Sequence, residues 1–135
     1  MGGMRSKKPK RFVIQRHERE GQAVHWDLML EAGGVLQTYR ITVPPEEWAS
    51  KPAEAQRIFD HSLNFLSYEG SVNKGKGRVA IADAGTYRAL TQNEKQQKLE
   101  FAGRILKGEF ELTRIGEARW ELRENVEHRT PNNEL

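Results

Sequence analysis

Three residues in the first quarter of the chain carry side chains that together could hold a metal ion. His17 closes the segment FVIQRH (12–17), and His25 and Asp27 stand two apart in AVHWDLML (23–30). In an extended strand, side chains alternate between faces. Val24, Trp26, Leu28 and Leu30 then form one apolar side, and His25, Asp27, Met29 and Glu31 the other. The apolar side explains why a strand forms; the imidazole and carboxylate opposite it need another reason. If the two segments pair as a hairpin around 18–23, His17 approaches His25, and Asp27 lies about 7 Å further along. Two neutral imidazoles and a carboxylate suit Mn²⁺, Zn²⁺ or Fe²⁺ and leave coordination positions for water and substrate. The same spacing also fits ordinary polar residues on the wet face of an antiparallel sheet.

Other motifs carry less. Of the remaining histidines, His61 lies in DHSLNF and His128 near the C-terminus. GSVNKGKG (70–77) matches G-x-x-x-x-G-K but has Gly77 where a phosphate-binding loop needs Ser or Thr for Mg²⁺. RVAIAD follows with strand chemistry, so no helix N-terminus is there to hold a phosphate. A tight basic strand connection is the expectation, with Lys74, Lys76 and Arg78 near any polyanion backbone. Glu46 and Glu47 read as solvated surface. Trp26, Trp48 and Trp120 read as core or rim packing.

The elements that must position these residues are almost all strands. FVIQRH, VHWDLMLE (24–31) and VLQTYRITV (35–43) alternate in polarity around the turn Ala32-Gly33-Gly34. Pro44-Pro45 stops the third. A short helix is expected around 53–59 within EEWASKPAEAQRIFD. RVAIAD and TYRALT read as a hairpin about Ala84-Gly85. KLEFAGRIL, EFELTRI and ARWELRE read as a meander with turns at Lys107-Gly108 and Gly116-Glu117. Short strands at this spacing predict a mainly β protein, a small closed or partly open antiparallel barrel with one or two short helices.

At 135 residues the chain fits one domain, expected at 12–124 between a basic flexible arm (1–11) and a flexible tail (125–135). The arm holds five of the 22 basic residues and none of the 19 acidic ones, so it either attracts a polyanion or simply solubilises the chain. There is no cysteine, which excludes disulfides and thiolate metal sites and points to a cytoplasmic protein. No apolar run approaches the ~20 residues that span a bilayer, so no membrane partner is expected. A monomer is expected.

FVIQRH, HWDLMLE–GGVLQTY, DHSLNF, an EG before a Gly-rich connection and a GTY segment, in that order from about Phe12 to Arg123, resemble the 3′-phosphoesterase domain of bacterial DNA ligase D, here in a stand-alone, divergent form. The resemblance implies a compact β-barrel that processes 3′ ends of DNA or RNA in DNA repair. Such a hydrolase removes a 3′-terminal ribonucleoside and then the 3′-phosphate, with a divalent metal, manganese first and zinc as the alternative. It implies that His17, His25 and Asp27 are metal ligands and that His61 is the catalytic residue contacting the scissile phosphate. A separate ligase or polymerase is an implied partner.

Two positions depart from the family pattern. Its phosphate-binding arginine falls on Met29 and its active-site tyrosine on Phe65, and the connection at 70–77 is shorter and lacks the family's proline and tyrosine. Arg16, Arg40 and Arg78 are candidate replacement cations, and with Lys74 and Lys76 they form the expected substrate-binding set. Both departures delete a donor aimed at phosphate. A catalytically impaired 3′-end or phosphate-binding module is therefore the alternative, and a plain interaction barrel without metal a third reading.

Overall fold

The computed structural model describes residues 8–126. Among the described residues nine strands follow one another: β1 (Lys10–Arg19), β2 (His25–Ala32), β3 (Val35–Ile41), β4 (Ala53–His61), β5 (Gly70–Val72), β6 (Gly77–Gln92), β7 (Gln96–Ala102), β8 (Lys107–Arg114) and β9 (Arg119–Glu124). Eight of them, in the order β1-β2-β3-β4-β9-β8-β7-β6, close into an antiparallel barrel through β6 pairing back onto β1, and β5 adds to the other side of β6. Closure removes the unpaired edges that an open sheet would present. The barrel expected from the sequence is thus the fold, in its closed form.

The lumen is filled by the apolar side of each strand. Phe12 and Ile14 of β1, Leu28 and Leu30 of β2, and Tyr39 and Ile41 of β3 meet Leu99, Phe101, Phe110, Leu112, Trp120 and Leu122 from across the barrel. Phe12 and Phe101 pack edge to face with centroids 5.1 Å apart, the arrangement aromatic pairs favour. Trp48 is fully buried beside this core, its indole N–H donating to the Val43 carbonyl at 2.9 Å. A second, smaller apolar cluster lies on the other face of the same strands. There Val13, Met29 and Leu36 are covered by Leu63, Phe65 and Leu66.

Three local expectations are corrected. Residues 53–59 form no helix; they belong to β4, which pairs with β3 and β9. Glu, Ala, Gln and Arg are good helix formers, but two ladders override propensity here. The described helices are single 3₁₀ turns at Pro45–Glu47, Leu63–Leu66 and Asn73–Gly75. Ala84-Gly85 is not a turn but the middle of β6, a single strand of 16 residues. Gly85 stands where β6 passes from β1 toward β7, and a Cβ there would come within 2.3 Å of the Ala102 carbonyl oxygen. The glycine serves close approach, not reversal. The β7–β8 turn is Gly103–Leu106, upstream of Lys107-Gly108. The buried Asp83 carboxylate holds it, accepting the backbone N–H groups of Ala84, Arg104, Ile105 and Leu106 at 2.8–2.9 Å.

The Gly-rich connection is the tight strand turn expected of it, joining β5 to β6 with Asn73, Lys74 and Gly75 in the left-handed region. The arm and the tail lie outside the described residues except at their inner ends. β1 already begins at Lys10, and Asn125 is buried with its N–H donating to the Glu109 carbonyl. His128 lies outside the described residues.

Candidate metal centre

The outer face of the β1–β4 wall carries the residues of interest. In the β1–β2 ladder His17 stands directly opposite His25, and Gln15 opposite Asp27. In the β2–β3 ladder Asp27 stands opposite Arg40, and Met29 opposite Thr38. His61, the last residue of β4, pairs with Leu36. Alternation does much of the rest on β1–β3, where the neighbouring Ile14, Leu28, Leu30, Tyr39 and Ile41 belong to the barrel core. All but Gln15, Thr38 and Leu36 of this group were singled out from sequence, and His17, His25, Asp27, Arg40 and His61 line one cleft of about 740 Å³.

At its floor, His17 Nδ1 lies 2.9 Å from His25 Nε2, and His25 Nε2 lies 3.6 Å from Asp27 Oδ2. One ligand atom from each of the three falls within 4.8 Å of the other two. Ligands side by side on a cation at ~2.1 Å are separated by roughly 3.0–3.4 Å; the His17–His25 and His25–Asp27 pairs are near that spacing, and the widest pair would have to draw together around an ion. The donor set, two imidazoles and a carboxylate, fits as well. Asp27 Oδ1 is engaged by Arg40 Nε at 3.3 Å, which aims Oδ2 toward the imidazoles in the manner of an outer-sphere partner.

The remaining nitrogen of His17, Nε2, is buried without a hydrogen-bond partner. Packing holds that ring instead: a Cβ on Gly77 would lie 3.1 Å from Nε2 and 3.1 Å from the Glu18 carbonyl oxygen. The glycine that spoils the phosphate-loop motif is therefore the one that admits His17.

Electrostatics favour the ligating forms of His17 and Asp27. Burial pushes the His17 ring below the ordinary imidazole value, and His25 adds to that while Asp27 opposes it. Burial alone would raise the Asp27 carboxyl, but the adjacent His25 ring and Arg40 guanidinium bring it below the usual carboxylate value. A neutral imidazole and an ionised carboxylate are what a divalent cation needs.

His61 is oriented differently. The Thr38 hydroxyl donates to the Leu36 carbonyl at 3.0 Å and sits 2.8 Å from His61 Nδ1. With its one hydrogen committed, Thr38 accepts from Nδ1–H, so the neutral ring carries its lone pair on Nε2. Burial lowers the His61 pKa, which favours that neutral form. Phe59 stacks on the ring at 4.7 Å and 28°, and Phe65 meets it edge-on at 5.4 Å. Gln15 ties down the cover, donating to the carbonyls of Phe65 and Tyr68 at 3.0 Å each.

Of the five cations singled out, only Arg40 joins this group. Arg16 is paired with Glu18 and does not line the cleft. Lys76 and Arg78 line a neighbouring groove of about 410 Å³, which shares Arg19 and Gln22 with the cleft. Lys74 is exposed in the turn after β5. Met29 is buried and offers no donor. Gln15, Arg19, Thr38 and Phe59 were missed from sequence. Thr38 and Phe59 were legible only as residues two before Arg40 and His61 on the same strand face.

A closed barrel thus carries a His/His/Asp cluster and a third histidine in one cleft of its outer wall. The family model for the DNA ligase D 3′-phosphoesterase domain matches residues 15–114, and the chain belongs to that family. It is 31% identical over 117 residues, 81% of this chain, to the multifunctional non-homologous end joining DNA repair protein LigD of Mycobacterium tuberculosis. It is 34% identical over 80 residues, 57% of this chain, to the multifunctional non-homologous end joining protein LigD of Mycolicibacterium smegmatis. The Pseudomonas aeruginosa LigD protein is 28% identical over 112 residues, 77% of this chain. The matches cover 15%, 10% and 13% of those three proteins respectively. No helix among the described residues is long and apolar enough to cross a membrane.

Proposed function

We propose that this domain is a divalent-cation-dependent phosphoesterase acting on the 3′ ends of DNA or RNA in end-joining repair, with manganese as the cation and a ligase or polymerase as functional partner. The observation that carries the reading is the convergence of His17, His25 and Asp27 with Arg40 and His61 in a single cleft. His17 Nδ1, His25 Nε2 and Asp27 Oδ2 would hold the ion. Bound there, it would supply Lewis-acid polarisation of a phosphoryl oxygen and lower the pKa of a coordinated water.

The chain's own residues account for the remaining work. Arg40 supplies the guanidinium that the family pattern places at residue 29. Its Nε is spent on Asp27, and its two terminal nitrogens are left for phosphate oxygens, a bidentate contact to which a guanidinium is suited. His61 holds its proton on Nδ1 through Thr38 and offers Nε2 as an acceptor at the reacting phosphate. In hydrolysis, water oxygen bonds to phosphorus as the bond to the 3′-oxygen breaks. The water proton passes to His61 Nε2, which then releases it to the departing oxygen or to solvent. Gln15 and the 62–68 cover limit water access from one side.

Met29 and Phe65 support a second reading, a receptor that binds a 3′-phosphate without cleaving it. Incubating the full chain and Mn²⁺ with a 3′-phosphorylated oligonucleotide separates the two. Metal-dependent release of inorganic phosphate supports the enzyme, tight binding without release supports the receptor, and neither binding nor release removes both.

A further inference from the structure

Phe59 has the most exposed large apolar side chain among the described residues, at 73%. It is not remote from the centre. Residues 59 and 61 share a face of β4, and both line the cleft. Their rings lie 28° from parallel with centroids 4.7 Å apart, so one face of Phe59 rests on His61 while most of the ring is open to water. The barrel core is complete without it, and the smaller cluster under the cover does not include it. Nothing in the packing calls for an exposed apolar ring at this position, where a strand would accept a polar β-branched residue.

The ring's neighbours identify its ligand. Phe59 shares the cleft with the Arg40 guanidinium and stacks on the His61 imidazole. A ligand that carries an anionic group next to a flat, polarisable ring would engage the guanidinium and Phe59 at once. Nucleotides have that composition, and base–aromatic stacking is a recurrent way of holding single strands. A phenyl ring has no polar handle, so it would read the presence of a base and not its identity.

We propose that Phe59 is a stacking platform for the nucleobase of the 3′-terminal nucleotide, whose phosphate is held by Arg40. The assignment rests on the proposed function above. It makes the strand end itself, a phosphate together with its own base, the recognised unit.

Two 5′-fluorescent single strands test it with the full chain and Mn²⁺. Both end in a non-hydrolysable 3′-methylenephosphonate, one on a normal terminal nucleotide and the other on an abasic sugar. By fluorescence anisotropy the wild-type chain should bind the first about tenfold more tightly. Phe59→Ala should remove that preference and leave the abasic strand's affinity unchanged, and Phe59→Trp should keep it. A preference that survives in Phe59→Ala, or equal weakening of both strands, overturns the assignment. So does a Phe59→Ala chain with changed oligomeric state and unchanged affinities, because the ring then packs against a second copy. If the wild-type chain binds neither strand, or binds a 3′-hydroxyl strand equally well, the proposed function itself falls and the assignment with it.

Discussion

The two faces of β1, β2 and β3 are built on the same backbone and do opposite things. Inward, Phe12, Ile14, Leu28, Leu30, Tyr39 and Ile41 are fully buried and apolar. Outward, Gln15, His17, His25, Asp27, Thr38 and Arg40 are polar. A one-residue alternation separates the core from the proposed site. The inner face needs only volume and apolarity, which many sequences satisfy. The outer face needs particular atoms at particular separations, which few do. Substitutions on the two faces should therefore fail in different assays.

The largest effect is expected outside. His61→Ala should lower kcat for 3′-phosphate release by about 10²–10⁴, the range for a positioned acid or base, while the unfolding free energy and the affinity for metal stay near wild type. A loss of metal affinity instead would mean that His61 is a ligand and that the division drawn within the cleft is wrong.

Leu28→Ala is the matching change inside. It should lower the unfolding free energy by about 2–5 kcal/mol, read by urea denaturation, with metal affinity of the remaining folded protein unchanged. Leu28 lies between Asp27 and Met29 in the chain but on the opposite face, so a large loss of metal affinity would show the faces to be coupled.

Arg40→Met comes next. A charge-assisted hydrogen bond is worth about 1.5–3 kcal/mol, so KM for a 3′-phosphorylated strand should rise by roughly 10- to 150-fold. A KM that does not move would assign the phosphate to Arg19 or another group at the rim.

The smallest effect concerns pH. His17 and His61 have pKa values below the ordinary 6.5 in the folded chain, burial being the first cause for both. Between those depressed values and about 6.5 the unfolded chain binds more protons than the native one, so stability falls as pH drops through that window. The metal-free protein should melt lower at pH 5.5 than at pH 7.5, by calorimetry. Equal melting temperatures would mean that the rings are solvated and the outer face is not the partly buried cleft described.

The contrast between faces also explains what was legible in sequence. Alternation in 24–31 identified both the strand and its chemical side, and the short 18–23 connection forced His17 against His25. Neither step needs tertiary information. β4 was missed because its composition favours helix and its strand character comes from two ladders whose partners are distant in sequence. With β4 read as helix, Phe59 could not be seen to share a face with His61. Gly85 suggested a turn, since glycine at a crossing of strands and glycine at a reversal look alike without the neighbouring Ala102 carbonyl. Arg40 could be named as a candidate cation but not chosen over Arg16 or Arg78. That choice depends on cross-strand register with Asp27, which the chain order of β2 and β3 does not state.

Central to the account is that His17, His25 and Asp27 bind one divalent ion on the outer wall of the barrel. Zn²⁺, a diamagnetic stand-in for Mn²⁺, can be titrated into the wild-type chain and Asp27→Asn while the histidine ring resonances are followed by NMR. The account predicts saturation at one equivalent with shifts at His17 and His25, and affinity at least about a hundredfold weaker in Asp27→Asn. Unmoved His17 and His25 rings, or equal affinity in the two proteins, would contradict it.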